Sequence, residues 1–195
     1  MNLLYESFPE QVTADGQTYT VLTDFREWLR FADMLRDTEL SAGERAYICG
    51  AWTEPETECV TEELLQALLG FYRADGLLPE NAQEDDSDDD AEAAAPRPPV
   101  FDWAIDAQYV LGDFRRFYGM NLLTVRYLHW WEFLSLFRAL PDDSQCMKRI
   151  AYRSADLSKI RNPAERARIA RIQRRIALPF EFDDEMIGAA LWNTK

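Results

Sequence analysis

The stretch from Arg126 to Leu140, RYLHWWEFLSLFRAL, constrains this chain more than any other. Apolar residues fall at Tyr127, Leu128, Trp131, Phe133, Leu134, Phe137 and Leu140. The 128, 131, 134 and 137 to 138 spacing follows a 3.6-residue period, which predicts a helix buried over much of its circumference at the centre of the core. Pro141 ends it, because proline lacks the N–H that the helical ladder needs and pushes its predecessor out of the α region. Trp130 and Trp131 would each bury roughly 150 to 250 Å², which at about 25 cal/mol per Å² is several kcal/mol apiece. Helical geometry puts Trp131 on the face of Leu128 and Leu134, in the core. It puts Trp130 about 100° away, nearer the surface, where it is expected to meet a partner.

A chain of 195 residues can enclose that helix in one substantial core, or in a core with an appended lobe. Hydrophobic content of 47% with 13% aromatics excludes a largely disordered protein, and no run approaches the eighteen or so apolar residues of a membrane span. The opening MNLLYESFPE has neither a basic n-region nor an apolar h-region, so a signal peptide is not expected and a cytoplasmic location is. Cys49, Cys59 and Cys146 are odd in number and widely spaced, which points to reduced, mostly buried thiols and not to a disulfide framework or zinc site.

The formal net charge of −14 is unevenly laid down. Residues 1 to 79 carry 15 acids and 5 bases, residues 80 to 92 carry 8 acids and no base, and residues 145 to 176 carry 10 bases against 2 acids. An acidic front is therefore followed by a basic segment.

Asp15-Gly16 between two runs of strand composition predicts a β-hairpin over about 10–14 and 17–22, since Asp-Gly supplies the positive φ angles of a two-residue turn. Two strands alone are marginal and must pack on a helix. Asp24 with Glu27 reads as a capping box opening a helix whose stripe is Phe25, Trp28, Leu29, Ala32 and Leu35. Ser41 with Glu44 opens a shorter helix through Ala46, Tyr47, Ile48 and Trp52, closed near Pro55. Thr61 caps an amphipathic helix with Glu62 and Glu63 in its first turn, stopping at Asp75-Gly76.

The acidic and proline-rich segment 79–100 lacks periodic apolar residues and is expected to be a disordered linker between lobes 1–78 and 101–195. The alternative is an acidic segment that contacts a basic partner or the chain's own arginine-rich part. Beyond it, a helix from Asp102 through Trp103, Ala107, Val110, Leu111, Phe114 and Phe117 should end at Gly119 as a left-handed C-cap. A further helix starts near Ser144 and carries Met147, Ile150, Ala151 and Tyr152. Asn162-Pro163-Ala164-Glu165 starts another, with Ile169, Ile172 and Ile176 on one face and Arg168, Arg171, Arg174 and Arg175 around the rest. The tail after Pro179 can form one last short helix. The fold class expected is mainly α: a helical bundle with a small N-terminal hairpin, in two helical lobes.

His129 is the only histidine, so no histidine pair, His-rich metal cluster or facial triad can be assembled. It can serve as base to a cysteine only in a cleft, or sit half-buried in the helix beside the two tryptophans. No glycine-rich phosphate loop, Gly-x-Ser-x-Gly elbow or zincin motif is present, and the acidic block lacks an EF-hand's central glycine and closing glutamate. These features point away from an enzyme and from any cofactor or metal. Arginines on one helix face suit phosphate contacts, but the overall acidity repels a polyanion, so a protein partner is the better use of Arg168, Arg171, Arg174 and Arg175.

The runs FDWAIDAQYVLGDFRRFYGMNL, LHWWEFLSLFRAL and IAYRSADLSKIRNPAERARIARIQ resemble, block after block, the phage gp-fifteen family of tailed phages and prophages. The hairpin and TDFREWLRF of the first lobe resemble it too, so the likeness covers nearly the whole chain apart from the linker. The family's Leu-His-Trp-Trp-x-Phe block corresponds to Leu128, His129, Trp130, Trp131 and Phe133, and its Tyr-Arg and Glu-Arg positions to Tyr152, Arg153, Glu165 and Arg166. The resemblance implies a non-enzymatic protein of the host bacterial cytoplasm that acts in siphophage tail assembly. Such proteins resemble chaperones holding the tape-measure protein soluble before the tail tube polymerises. It implies no catalytic, cofactor or metal residues, no nucleic-acid or membrane partner, and leaves self-association open. The alternatives are a structural tail component retained in the virion, or a nucleic-acid-binding regulator using the arginine helix at 163–177.

Overall fold

A computed structural model describes residues 4–77 and 99–179. The expected linker at 79–100, apart from its last two residues, and the expected helix after Pro179 lie outside the described residues. What is described is mainly helical, with a small three-stranded antiparallel sheet, and falls into two compact units. The first holds residues 4–77 together with 126–136, and the second holds 99–125 with 137–179. The sequence division at the acidic segment places 126–136 with the second lobe; in the structure it is packed in the first unit.

In the first unit, strands β1 (Gln11–Ala14) and β2 (Gln17–Val21) pair with Val12 opposite Tyr19 and Ala14 opposite Gln17. Asp15 and Gly16 between them have φ of 51° and 71°, the left-handed pair that the two-residue turn requires. A third strand, β3 (Thr53–Glu54), lengthens the sheet by pairing with Thr20 and Val21. Val12, Ala14 and Val21 point to the core.

Helix α1 (Phe25–Leu35) buries Phe25, Trp28, Phe31, Ala32 and Leu35. Phe31 belongs to the buried face, while Leu29 stays half-buried at its edge. Asp24 caps α1 by accepting from the Arg26 N–H and also holds the Arg26 guanidinium. The expected capping box is not formed, because Glu27 pairs instead with Arg30 one turn along the helix. Helix α2 (Ala42–Ile48) does carry its reciprocal Ser41–Glu44 box and runs into a 3₁₀ turn, Cys49–Trp52. Helix α3 (Glu62–Arg73) is capped by Thr61 and ends on Ala74 in the left-handed region, two residues before Gly76. Gly76 lies close under the first unit's aromatic core: a Cβ there would stand 3.0 Å from the Trp131 ring, a tight approach.

The central helix, α5 (Trp130–Arg138), is shorter than the expected 126–140. Leu128 and His129 are extended because they run antiparallel beside Thr23 and Asp24. The first N–H of α1, from Phe25, donates to the Leu128 carbonyl, and the first of α5, from Trp130, donates to the Thr23 carbonyl. Two helix N-termini thus satisfy each other's otherwise unpaired donors.

In the second unit, helix α4 (Ala107–Tyr118) ends on Gly119 at φ 64°, as the sequence predicts. Asp102 closes a turn before it by accepting from the N–H groups of Ala104 and Ile105, so the helix proper starts at Ala107. Helix α6 (Gln145–Ser154) is capped by Ser144, and α7 (Pro163–Ile176) by Asn162 with Pro163 at its first position. The core contains Phe101, Val110, Phe114, Phe137 and Cys146.

Candidate functional site

Two constellations and one surface carry the chain's unusual chemistry. The first is built on His129, Trp130 and Trp131. The His129 ring is buried, stacks on Phe8 with centroids 4.9 Å apart, and accepts the Trp131 N–H on Nδ1 at 3.0 Å. It is therefore the N-cap of α5, in the role usually taken by serine or aspartate. Because Nδ1 accepts, Nε2 carries the proton and donates to the Pro9 carbonyl at 3.0 Å. Burial, only partly offset by that bond and by Glu10 and Glu132, holds the His129 pKa below the ordinary imidazole value.

The two indole N–H groups reach the other way, to the C-terminus of α3. Trp130 donates to the Tyr72 carbonyl at 2.7 Å and Trp131 to the Phe71 carbonyl at 2.9 Å. Carbonyls of a helix's last turn lack their usual i+4 donors, so the tryptophans add donors there, at Phe71 beside the Ala74 N–H at 3.1 Å. Trp130 is 1% exposed and Trp131 7%. This corrects the expectation that Trp130 lies near the surface and meets a partner: facing α3 from the start of α5, both rings are enclosed. Trp130 stacks on Tyr72 at 5.5 Å, and Trp131 lies 5.4 Å from Phe71.

The second constellation is a buried ion network between α4 and α6. Asp106, fully buried, accepts from both terminal nitrogens of Arg153, from Nε of Arg149 at 3.1 Å and from the Asp102 N–H at 3.2 Å. Burial opposes its charge, but these bonds and the charge of Arg153 outweigh it and hold the carboxyl below the usual carboxylate range. Arg153 also donates to the carbonyls of Ile176 and Val100, joining the end of α7 to the start of the unit. One helical turn pair further along α4, buried Asp113 accepts the N–H groups of Gln145 and Cys146, placing a carboxylate on the positive end of α6. Cys146 is buried beside it; burial, then that carboxylate, push the thiol pKa well up. Cys49 is pushed to about 12 by burial, so neither buried thiol is a ready nucleophile.

The surface is α7. Arg168, Arg171, Arg174 and Arg175 are all exposed. Arg168 is held by Glu165 at 2.9 Å and Arg174 turns back to the Ala170 carbonyl, whereas no ion pair is formed by Arg171 or Arg175 among the described residues. Ile169, Ile172 and Ile176 are half-buried, and no residue of this 14-residue helix is fully buried. Trp130 and the four arginines, named together from the sequence, belong to different units.

Sequence reasoning missed Asp106, Asp113, Arg149 and the capping role of His129. The signal for the network was available, since Arg149 and Arg153 are one turn apart on α6 and Asp106 and Asp113 are two turns apart along α4. Among the described residues no cluster of three or more His, Cys, Asp or Glu side chains could hold a metal ion, and no helix is long and apolar enough to cross a membrane. A shallow depression on the first unit is lined by Asp15, Thr61, Glu62, Glu63 and Gln66.

Comparison with curated proteins and with solved structures matches none. The family model described as Bacteriophage Gp15 protein matches residues 4–178, a span that takes in both units and every constellation above. With nine-tenths of its length inside that match, the chain belongs to the Bacteriophage Gp15 protein family.

Proposed function

We propose that this phage protein acts in tail morphogenesis as an assembly chaperone, binding the tape-measure protein before the tail tube polymerises and performing no catalysis itself. The observation that carries the reading is family membership over residues 4–178. The architecture supports it. Trp130 and Trp131 tie α5 to the end of α3, and the buried Asp106 carboxylate is paired with Arg149 and Arg153 within the protein, as in a scaffold that binds. The exposed helix α7 leaves arginines and half-covered isoleucines available to a helical partner.

Co-expression of the full chain with the tape-measure protein tests the proposal: the two should co-purify, and the tape-measure protein should be more soluble with the chain than without it. Mass spectrometry of purified virions separates the chaperone from a tail component that stays in the particle. A chaperone is absent from mature virions, and stoichiometric retention would replace this reading with the structural one.

A further inference from the structure

We infer that the row formed by Arg171 and Arg175 on α7, with the half-covered isoleucines beside it, is the docking face for an acidic, amphipathic helix of the protein partner. This rests on the proposed function and names the chemistry of its partner. At about 100° per residue, Arg168, Arg171 and Arg175 fall within an arc of about 60° on α7, and Ile169, Ile172 and Ile176 form the neighbouring row about 100° round. The far edge of the isoleucine row is Gln173, whose amide donates to the Tyr152 and Ala155 carbonyls at the end of α6. That edge is packed. The isoleucines lie between it and the arginine row and are half-buried.

Of the three arginines in the row, Glu165 takes both forks of Arg168. Arg171 and Arg175 are exposed and make no ion pair among the described residues, one helical turn apart. Planar guanidinium groups at this spacing match carboxylates placed one turn apart on a second helix, each able to take two hydrogen bonds. An apolar stripe on that helix would cover the exposed part of Ile169, Ile172 and Ile176, which gives the contact its water-excluding part. A nucleic acid fits the same arginines less well. It offers nothing to the isoleucines.

The test uses the full chain and a labelled synthetic peptide, an amphipathic helix with a leucine stripe edged by glutamates. Fluorescence anisotropy near physiological salt should show binding to the wild type, weakened about tenfold or more by Arg171→Glu with Arg175→Glu. The pair Arg166→Glu with Arg174→Glu carries the same change of charge on the other faces of α7 and should bind nearly as the wild type does. Circular dichroism should show unchanged helix content in both. Failure of the wild type to bind, or equal loss in the two paired variants, overturns the inference. Tighter binding of a DNA duplex than of the peptide overturns it in favour of nucleic acid. Co-purification with the tape-measure protein separates the two levels of the argument. Capture that survives Arg171→Glu with Arg175→Glu leaves the chaperone reading standing and this docking face refuted. Arginine-dependent peptide binding without any capture does the reverse.

Discussion

The indole N–H groups of Trp130 and Trp131 end on the Tyr72 and Phe71 carbonyls, so removing either ring has two costs. It opens a cavity in the core of the first unit and removes an indole donor from a carbonyl at the end of α3. Trp130→Ala and Trp131→Ala should each destabilise by roughly 3 to 5 kcal/mol in denaturant titration. A helical wheel taken alone makes Trp130 the milder substitution, and finding it mild would show that the Tyr72 contact has been overvalued. Trp130→Phe keeps most of the apolar area and drops only the donor, at roughly 1 to 3 kcal/mol. His129 sits between the tryptophans and Pro9 with one nitrogen accepting and one donating. Protonating Nδ1 would turn the acceptor that caps α5 into a donor facing the Trp131 N–H. The folded pKa lies below the ordinary imidazole value, so between the two values the unfolded chain binds a proton that the folded chain does not. The stability His129 contributes is thus fully present above about pH 6.5 and falls as pH drops through the folded value. His129→Asn keeps a capping acceptor that does not titrate, and it should flatten that part of the profile in unfolding measured from pH 7.5 to 5.

Among elements, α4 and α6 depend on a carboxylate that water does not reach. Asp106→Asn leaves Arg153, itself nearly buried, without its counter-charge and should cost about 3 to 5 kcal/mol. Replacing the pair by Asp106→Leu with Arg153→Met should recover most of that loss, because Arg149 can turn to solvent and rests on the Tyr109 ring at 4.0 Å. Chemical denaturation of the single and double variants gives both numbers, and a double variant no better than Asp106→Asn would show that the network does more than balance charge. The same contrast explains what could be read from the sequence. The Asp15-Gly16 turn, the caps at Ser41, Thr61, Ser144 and Asn162, and Gly119 each act within four residues of themselves, and all are where local chemistry puts them. Strand β3, the His129 bond to the Pro9 carbonyl and the α3 carbonyls held by tryptophans 58 and 60 residues away have no local signal. Each exists only because a distant segment brings the partner group. For the same reason the start of α5 is misplaced by four residues: Leu128 and His129 have helical periodicity, but pairing with Thr23 and Asp24 draws them out straight. The arginine face of α7 was legible because an exposed face is decided by the helix itself. The pairing that leaves Arg171 and Arg175 without carboxylates among the described residues was not.

At the scale of the whole molecule, the acidic segment divides the sequence in a place where it does not divide the core. Residues 126–136 follow that segment in the chain yet pack in the first unit, and α5 continues into Phe137, which packs with Phe101 and Trp103 in the second. A fragment of residues 1–78 would keep the sheet, α1, α2 and α3 but lose Leu128, Trp130, Trp131 and Phe133. All four are buried, and they supply the ring stacked on Phe25, the ring stacked on Tyr72 and both donors to the end of α3. At about 25 cal/mol per Å², four such side chains represent several kcal/mol of burial, comparable with the roughly 5 to 15 kcal/mol by which a domain is stable at all. A fragment of residues 101–195 would carry the same side chains with nothing to cover them. Neither fragment should therefore unfold cooperatively alone, and the longer one should associate through its exposed tryptophans. Mixed in equal amounts after co-refolding, the two should recover the near-ultraviolet circular dichroism of the intact chain and a single thermal transition, because the missing contacts are non-covalent and need no peptide bond across the acidic segment. A sharp melting transition from 1–78 by itself would show that the sheet and the first three helices close their own core, and that the tryptophan pair is an addition to that core and not its centre.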